Sequence, residues 1–120
     1  MKKIILTLFF SILLSLGITA CKPSEPAADI IVFTQTGCPH CEHAMAYINN
    51  MLKKQMPTIT VAEYNILASQ ENKDLFKKYV RQFNITGSSI GTPLIIVRGT
   101  ALIGWEKSIQ EKIIKVLEQK

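Results

Sequence analysis

The chain has 120 residues, with 14 Lys and Arg against 9 Asp and Glu, a formal net charge of +5, and three cysteines. That length leaves room for one small domain with a modest single core. The excess of cations is mild and the lysines are scattered along helical stretches, which argues for a solvated surface and against a nucleic-acid patch. Three cysteines, two of them three positions apart, exclude a disulfide framework as the source of stability.

The first twenty residues read as a leader. Met1-Lys2-Lys3 is a basic start, Ile4 to Leu16 is an almost unbroken apolar run, and Gly17-Ile18-Thr19-Ala20-Cys21 follows. The run is too short for a spanning helix and ends in small residues, as a secretory signal does. Ile18-Thr19-Ala20-Cys21 resembles the bacterial lipobox, an aliphatic residue, two small ones and then Cys. The resemblance implies that Cys21 is lipidated on sulfur and becomes the new N-terminus. The competing readings are an ordinary cleavage site beside an unmodified cysteine, and an uncleaved anchor. Several acyl chains hold a protein on a membrane surface, where a single chain binds only marginally. The expected location is the bacterial cell envelope, facing the periplasm or the cell exterior. Enteric lipoproteins retained at the inner membrane carry Asp after the lipidated cysteine, so Lys22 leans toward the outer membrane. Loss of Lys2 and Lys3 with the leader leaves twelve cations against nine acids, a net charge of +3. With Cys21 acylated, Cys38 and Cys41 are the remaining thiols, and an exported protein with one such pair carries it for reactivity.

Residues 21–28, with Lys22-Pro-Ser-Glu-Pro-Ala-Ala28, read as a lipidated N-terminus and a polar, proline-bearing tether. The folded domain is expected over residues 29–120. Ile30 to Phe33 is a buried strand by its apolar run, and a short polar turn leads to Cys38-Pro39-His40-Cys41 at the start of a helix. Ala44, Ile48 and Met51, with Met45 and Leu52 beside them, give that helix its apolar stripe; it ends near Lys53-Lys54, before Pro57. Ile59 to Tyr64 reads as a second strand. Ser69 is placed to cap a helix carrying Leu75, Phe76, Tyr79, Val80 and Phe83. Leu94–Val97 and Thr100–Ile103 are two short strands joined by Arg98-Gly99, a hairpin signal. A last helix carries Ile109, Ile113, Val116 and Leu117, with Trp105 packed at its start. The order is βαβαββα.

A dithiol two residues apart at a strand-to-helix junction reads as a redox motif. The first sulfur sits where unpaired N–H groups and the helix dipole favour a thiolate, and the second lies one turn deeper. Pro39 suits the first helical turn, where its missing N–H costs nothing. Strand, C-x-x-C, helix and a late Gly91-Thr92-Pro93 before a strand together resemble the thioredoxin superfamily over residues 29–120. The chain is closest in size to the glutaredoxin-like members. The resemblance implies an α/β fold, a small central mixed four-stranded sheet flanked by three helices, with a cis-proline at Pro93 facing the dithiol. Gly104 falls where thioredoxins commonly have a glycine.

The resemblance also implies roles. Cys38 is the exposed nucleophile and Cys41 the resolving thiol, with Pro39 and His40 setting the redox poise. A histidine between the sulfurs favours the Cys38 thiolate, and a more stable thiolate makes the disulfide more oxidising. Pro-His is the dipeptide of the DsbA-type oxidants. Thr92 instead resembles the DsbC/DsbG-type isomerases, and Thr92 and Pro93 shape the groove for an extended substrate strand. The implied activity is thiol–disulfide exchange on cysteine-containing exported proteins, with no cofactor beyond the Cys38–Cys41 disulfide and with a redox partner that resets it. Disulfide donation comes first; reduction or isomerisation is the alternative.

Other classes compete. Glu42 rather than His follows Cys41, so this is not a haem-attachment site. Cys38, Cys41 and His43, with His40 or Met45 as a soft ligand, offer a Cu(I) or Zn(II) site, but two thiolates without a second C-x-x-C leave zinc incomplete. A non-catalytic interaction module of the same fold is disfavoured by the presence of both cysteines. Thioredoxins carry a buried acid six residues before the first cysteine, where this chain has Val32. No buried proton acceptor is assigned; Glu63 could approach the dithiol from the second strand, but a solvated carboxylate is the favoured account. Gly37 stands where the family has its functional tryptophan.

Overall fold

The computed structural model describes residues 26–119. The leader and the lipidation of Cys21 are readings that lie outside the described residues. The elements are β1 (Ile30–Thr34), a helix α1 over residues 39–55, β2 (Val61–Asn65), α2 (Gln70–Gln82), β3 (Leu94–Val97), β4 (Thr100–Ile103) and α3 (Lys107–Glu118). A single 3₁₀ turn, Gly87–Ser89, precedes β3.

The sheet runs β2-β1-β3-β4, with β1 parallel to β2 and the other neighbours antiparallel. Its two central strands are the two most apolar segments, and every residue of β1 and β3 is buried. Strand periodicity then deals their side chains to opposite faces. Ile30, Val32, Ile95 and Val97 meet Ala44, Ile48 and Leu52 of α1 and Ile109, Ile113 and Leu117 of α3. Ile31, Phe33, Leu94 and Ile96 meet Phe76 and Tyr79 of α2 on the other side. A parallel β1–β2 pair needs a long crossover, and α1 supplies it. The β3–β4 hairpin turns on Arg98 and Gly99, both at positive φ (43° and 81°), as a two-residue turn of matching twist requires.

Two local expectations change, and one short element had no signal. Met51 is 52% exposed, so it is not in the core stripe, whereas Leu52 is fully buried. The cause is a π-helical segment, Ile48–Leu52, inside α1. A wider turn advances fewer degrees per residue than an α-helix, which keeps Leu52 on the face of Ile48 and swings Met51 outward. Secondly, β2 begins at Val61 rather than Ile59. The Thr60 amide is already committed, donating to the Asp29 carboxylate at 2.9 Å. Lastly, the 3₁₀ turn carries no apolar periodicity in the sequence.

Asp29 and Arg98 close the sheet end remote from Cys38. Asp29 Oδ2 accepts from the amide and hydroxyl of Thr60, and Oδ1 accepts from Arg98 Nε at 3.0 Å. Arg98 also donates to the Leu117 carbonyl, tying in the end of α3. These contacts offset the strain of a non-glycine residue at positive φ, of order 1–2 kcal/mol. The Thr60 amide first, then the Arg98 guanidinium and the Thr60 hydroxyl, hold the Asp29 carboxyl below its ordinary value. A depressed folded-state value means that these bonds stabilise the fold above the ordinary aspartate range and are lost as the pH falls through the lowered value.

Candidate active site

Cys38 lies just past the C-terminal end of β1, after the turn Gln35-Thr36-Gly37. Its amide donates to the Gln35 carbonyl at 3.2 Å, and Gly37 takes a φ of 76°, a conformation that suits glycine. Cys38 is the N-cap of α1, with extended backbone angles, and Pro39 opens the first turn. The Cys41 amide is a shared donor in the first turn, giving to the Cys38 carbonyl at 3.1 Å and to Cys38 Sγ at 3.2 Å. The two cysteines are joined as a disulfide, their Cα atoms 5.2 Å apart. Cys38 is half-buried, and Cys41 is only 3% exposed. Of the two sulfur-bearing residues, Cys38 is the one open to solvent.

A second segment completes the site. The Thr92–Pro93 bond is cis. The Thr92 carbonyl oxygen and Oγ1 each lie 3.8 Å from Cys38 Sγ. Pro93 is buried, and its carbonyl accepts from the Gly104 amide at 2.9 Å, pinning the loop to the end of β4. The fold thus brings Thr92 and Pro93, more than fifty residues on, against the first sulfur. Pro39 and His40 are exposed on the first turn of α1.

The other singled-out residues sit elsewhere. His43 is exposed on α1. Among the described residues, no three His, Cys, Asp or Glu side chains are grouped as a metal ion would need. Val32 is fully buried among apolar side chains. Trp105 packs on Tyr47, ring centroids 5.4 Å apart, between α1 and the start of α3.

Glu63 is solvent-exposed as expected and gains a partner that the sequence does not show. Its Oε1 accepts a hydrogen bond from the Thr34 hydroxyl at 2.9 Å, between β2 and β1. Both residues line a cleft of about 250 Å³ on the α1 side of the sheet, which Cys41 also lines. The signal for this was faint. Thr34 is the polar end of an otherwise apolar strand, and its partner depends on a strand register that the sequence does not display.

No protein-family model matches the chain, and no curated protein matches it. Solved structures do. A glutaredoxin from Archaeoglobus fulgidus superposes with a TM-score of 0.55 at 17% identity, over 78% of this chain and 99% of its own. A variant of the thioredoxin-like protein BC3987 gives 0.51 at 14%, over 71% and 97%. A buckwheat glutaredoxin in complex with glutathione gives 0.52 at 15%, over 75% and 76%. The chain therefore has a thioredoxin-like fold: an α/β domain with a four-stranded mixed sheet and three helices, carrying a Cys-x-x-Cys pair at the start of α1.

Proposed function

We propose that this protein is a lipid-anchored, extracytoplasmic thiol–disulfide oxidoreductase that donates disulfides to cysteine-containing exported proteins. The reading rests above all on a half-buried sulfur at a helix N-terminus, bonded to a buried one and faced by a cis-proline loop. A substrate thiolate attacks Cys38 Sγ, the Cys38–Cys41 bond breaks, and Cys41 leaves. A second substrate thiolate then attacks the substrate sulfur of the mixed disulfide and releases Cys38 as thiolate. The helix N-terminus and the Cys41 amide stabilise that leaving group. Two electrons pass from the substrate dithiol to the protein, and a separate redox partner in the envelope removes them. The pair needs no metal or organic cofactor.

Thr92 favours a second reading, a reductase or isomerase, because its hydroxyl and carbonyl both face Cys38 in place of an apolar side chain. Equilibrating the mature protein, residues 21–120, in glutathione buffers decides between them. A donor poises near −120 mV, roughly the value of the strongest disulfide oxidants, and a reductase near −270 mV, about that of thioredoxin.

The lipobox-like leader supports attachment through Cys21, with the outer membrane favoured by Lys22. Asp29 and the entry of the chain into β1 lie at the sheet end away from Cys38, so a tether there leaves the dithiol facing outward. Cells fed a labelled fatty acid should label the protein, and Cys21→Ala should remove the label and shift the protein from the membrane to the soluble fraction. An unlabelled wild-type protein would refute the anchor and leave the exchange chemistry standing.

A further inference from the structure

We propose that Glu63, positioned by Thr34, exchanges the proton of Cys41 through water in the cleft behind the dithiol. The inference deepens the exchange reading and rests on it.

Cys41 has a difficulty that Cys38 lacks. To resolve a mixed disulfide it must lose a proton, and to leave a disulfide it must regain one. It is 3% exposed, and burial holds a thiol in its protonated form. The first sulfur has the helix N-terminus; the second is one turn inside, so its proton needs another destination.

The cleft offers one. Its walls include Thr34, Cys41, Glu42, Met45, Glu63 and Asn65, and its volume of about 250 Å³ has room for several waters. The titratable groups on those walls are Cys41 itself, Glu42 from α1 and Glu63 from β2. What β1 and the turn after it contribute is neutral: Thr34, Gln35 and Thr36. The two carboxylates are not equivalent. Glu42 makes no side-chain hydrogen bond among the described residues, whereas Glu63 is fixed. Thr34 is the buried polar residue of the described core, 4% exposed, and its hydroxyl donates to Glu63 Oε1 at 2.9 Å. Parallel pairing sets Val32 beside Glu63 and Thr34 beside Asn65, so the carboxylate reaches up the sheet toward the cysteines. One oxygen is bound by Thr34, and the other is free to take a proton from a cleft water.

The step balances. With a substrate held on Cys38, a water passes a proton to Glu63 and takes the one on Cys41. The Cys41 thiolate attacks Cys38 Sγ, the Cys38–Cys41 bond forms, and the substrate leaves as thiolate. The carboxylic acid returns its proton to solvent. In the donor direction the same acid protonates Cys41 as it leaves, so the role holds whichever way electrons flow.

The test uses the full mature protein in detergent, reduced and mixed with dithiobis-nitrobenzoate. The first coloured thiolate reports attack by Cys38, and the second reports resolution by Cys41. Glu63→Gln keeps an oxygen for Thr34 and removes the proton acceptor. It should leave the first phase and the melting temperature unchanged and slow the second by about 10²-fold near neutral pH. The deficit should narrow as the pH rises above the free-thiol range of about 8.5, where hydroxide takes over the deprotonation of the buried thiol. Glu42→Gln should resolve at the wild-type rate. A Glu63→Gln second phase within twofold of wild type, a deficit equal at every pH, or the same deficit in Glu42→Gln overturns the assignment. A wild-type protein with no second phase fails differently, because it removes the exchange reading itself.

Discussion

Cys38→Ala should lower thiol–disulfide exchange by roughly 10³-fold or more, the scale on which removal of a nucleophile acts. Cys41→Ala should instead react once and stop. The asymmetry follows from burial and position. Cys38 is half-buried at the N-cap of α1, with the Cys41 amide 3.2 Å from its sulfur, so the atom is accessible and sits where a helix N-terminus favours a thiolate once the disulfide opens. Cys41 is enclosed, and a substrate can reach it only after Cys38 has been engaged. Without Cys41 the mixed disulfide on Cys38 has no internal thiol to release it, and adducts accumulate. Oxidation of a dithiol peptide gives the rates, and non-reducing electrophoresis of Cys41→Ala from envelope extracts shows the adducts as bands that collapse on reduction. Wild-type turnover by Cys38→Ala would sink the exchange mechanism.

Much of this arrangement was legible because the relevant signals are local. The apolar run Ile30 to Phe33, the Ser69 cap, the Arg98-Gly99 turn and the C-x-x-C at a strand-to-helix junction each act over a few residues. They suggest a parallel crossover and a hairpin, and the family resemblance implies the mixed four-stranded sheet that joins them. Ser69 accepts from the Asn72 amide at 3.1 Å, and β3 and β4 fall on their expected residues. What escaped the sequence depends on distant partners. Met51 and Leu52 are adjacent apolar residues, and only the π-helical turn decides which one faces the sheet. Ile59 and Thr60 have strand character, but Asp29, 31 residues before Thr60, claims the Thr60 amide. Glu63 could be placed on a strand near the dithiol, but nothing in the sequence pairs it with Thr34. The register between β1 and β2 places it diagonally below Thr34, on the same face as Cys41.

Phe33→Ala should cost about 3–5 kcal/mol, the range for deleting a fully buried aromatic side chain. At about 4–8 °C per kcal/mol for a domain of this size, the melting temperature should fall by at least ~12 °C. Phe33 is 0% exposed and fills the centre of the α2 side of the sheet. Its ring meets Tyr64, Phe76 and Tyr79 at centroid separations of 5.8, 5.5 and 5.4 Å. Tilted and edge-on pairs of this kind add to simple area burial. Three rings drawn from β2 and α2 converge on one, so they cannot close the gap without moving the helix off the sheet. Met51→Ala is the matching control, since a side chain 52% exposed should change stability within about 0.5 kcal/mol. Thermal unfolding followed by circular dichroism measures both. A Phe33→Ala shift under about 5 °C would mean that this layer is not packed as described. The dithiol, the cleft and α1 all lie on or above the other face, so the variant at low temperature should keep its rate of exchange per folded molecule. Activity lost on warming should then follow the unfolding curve, which separates the layer that holds the sheet together from the layer that carries the chemistry.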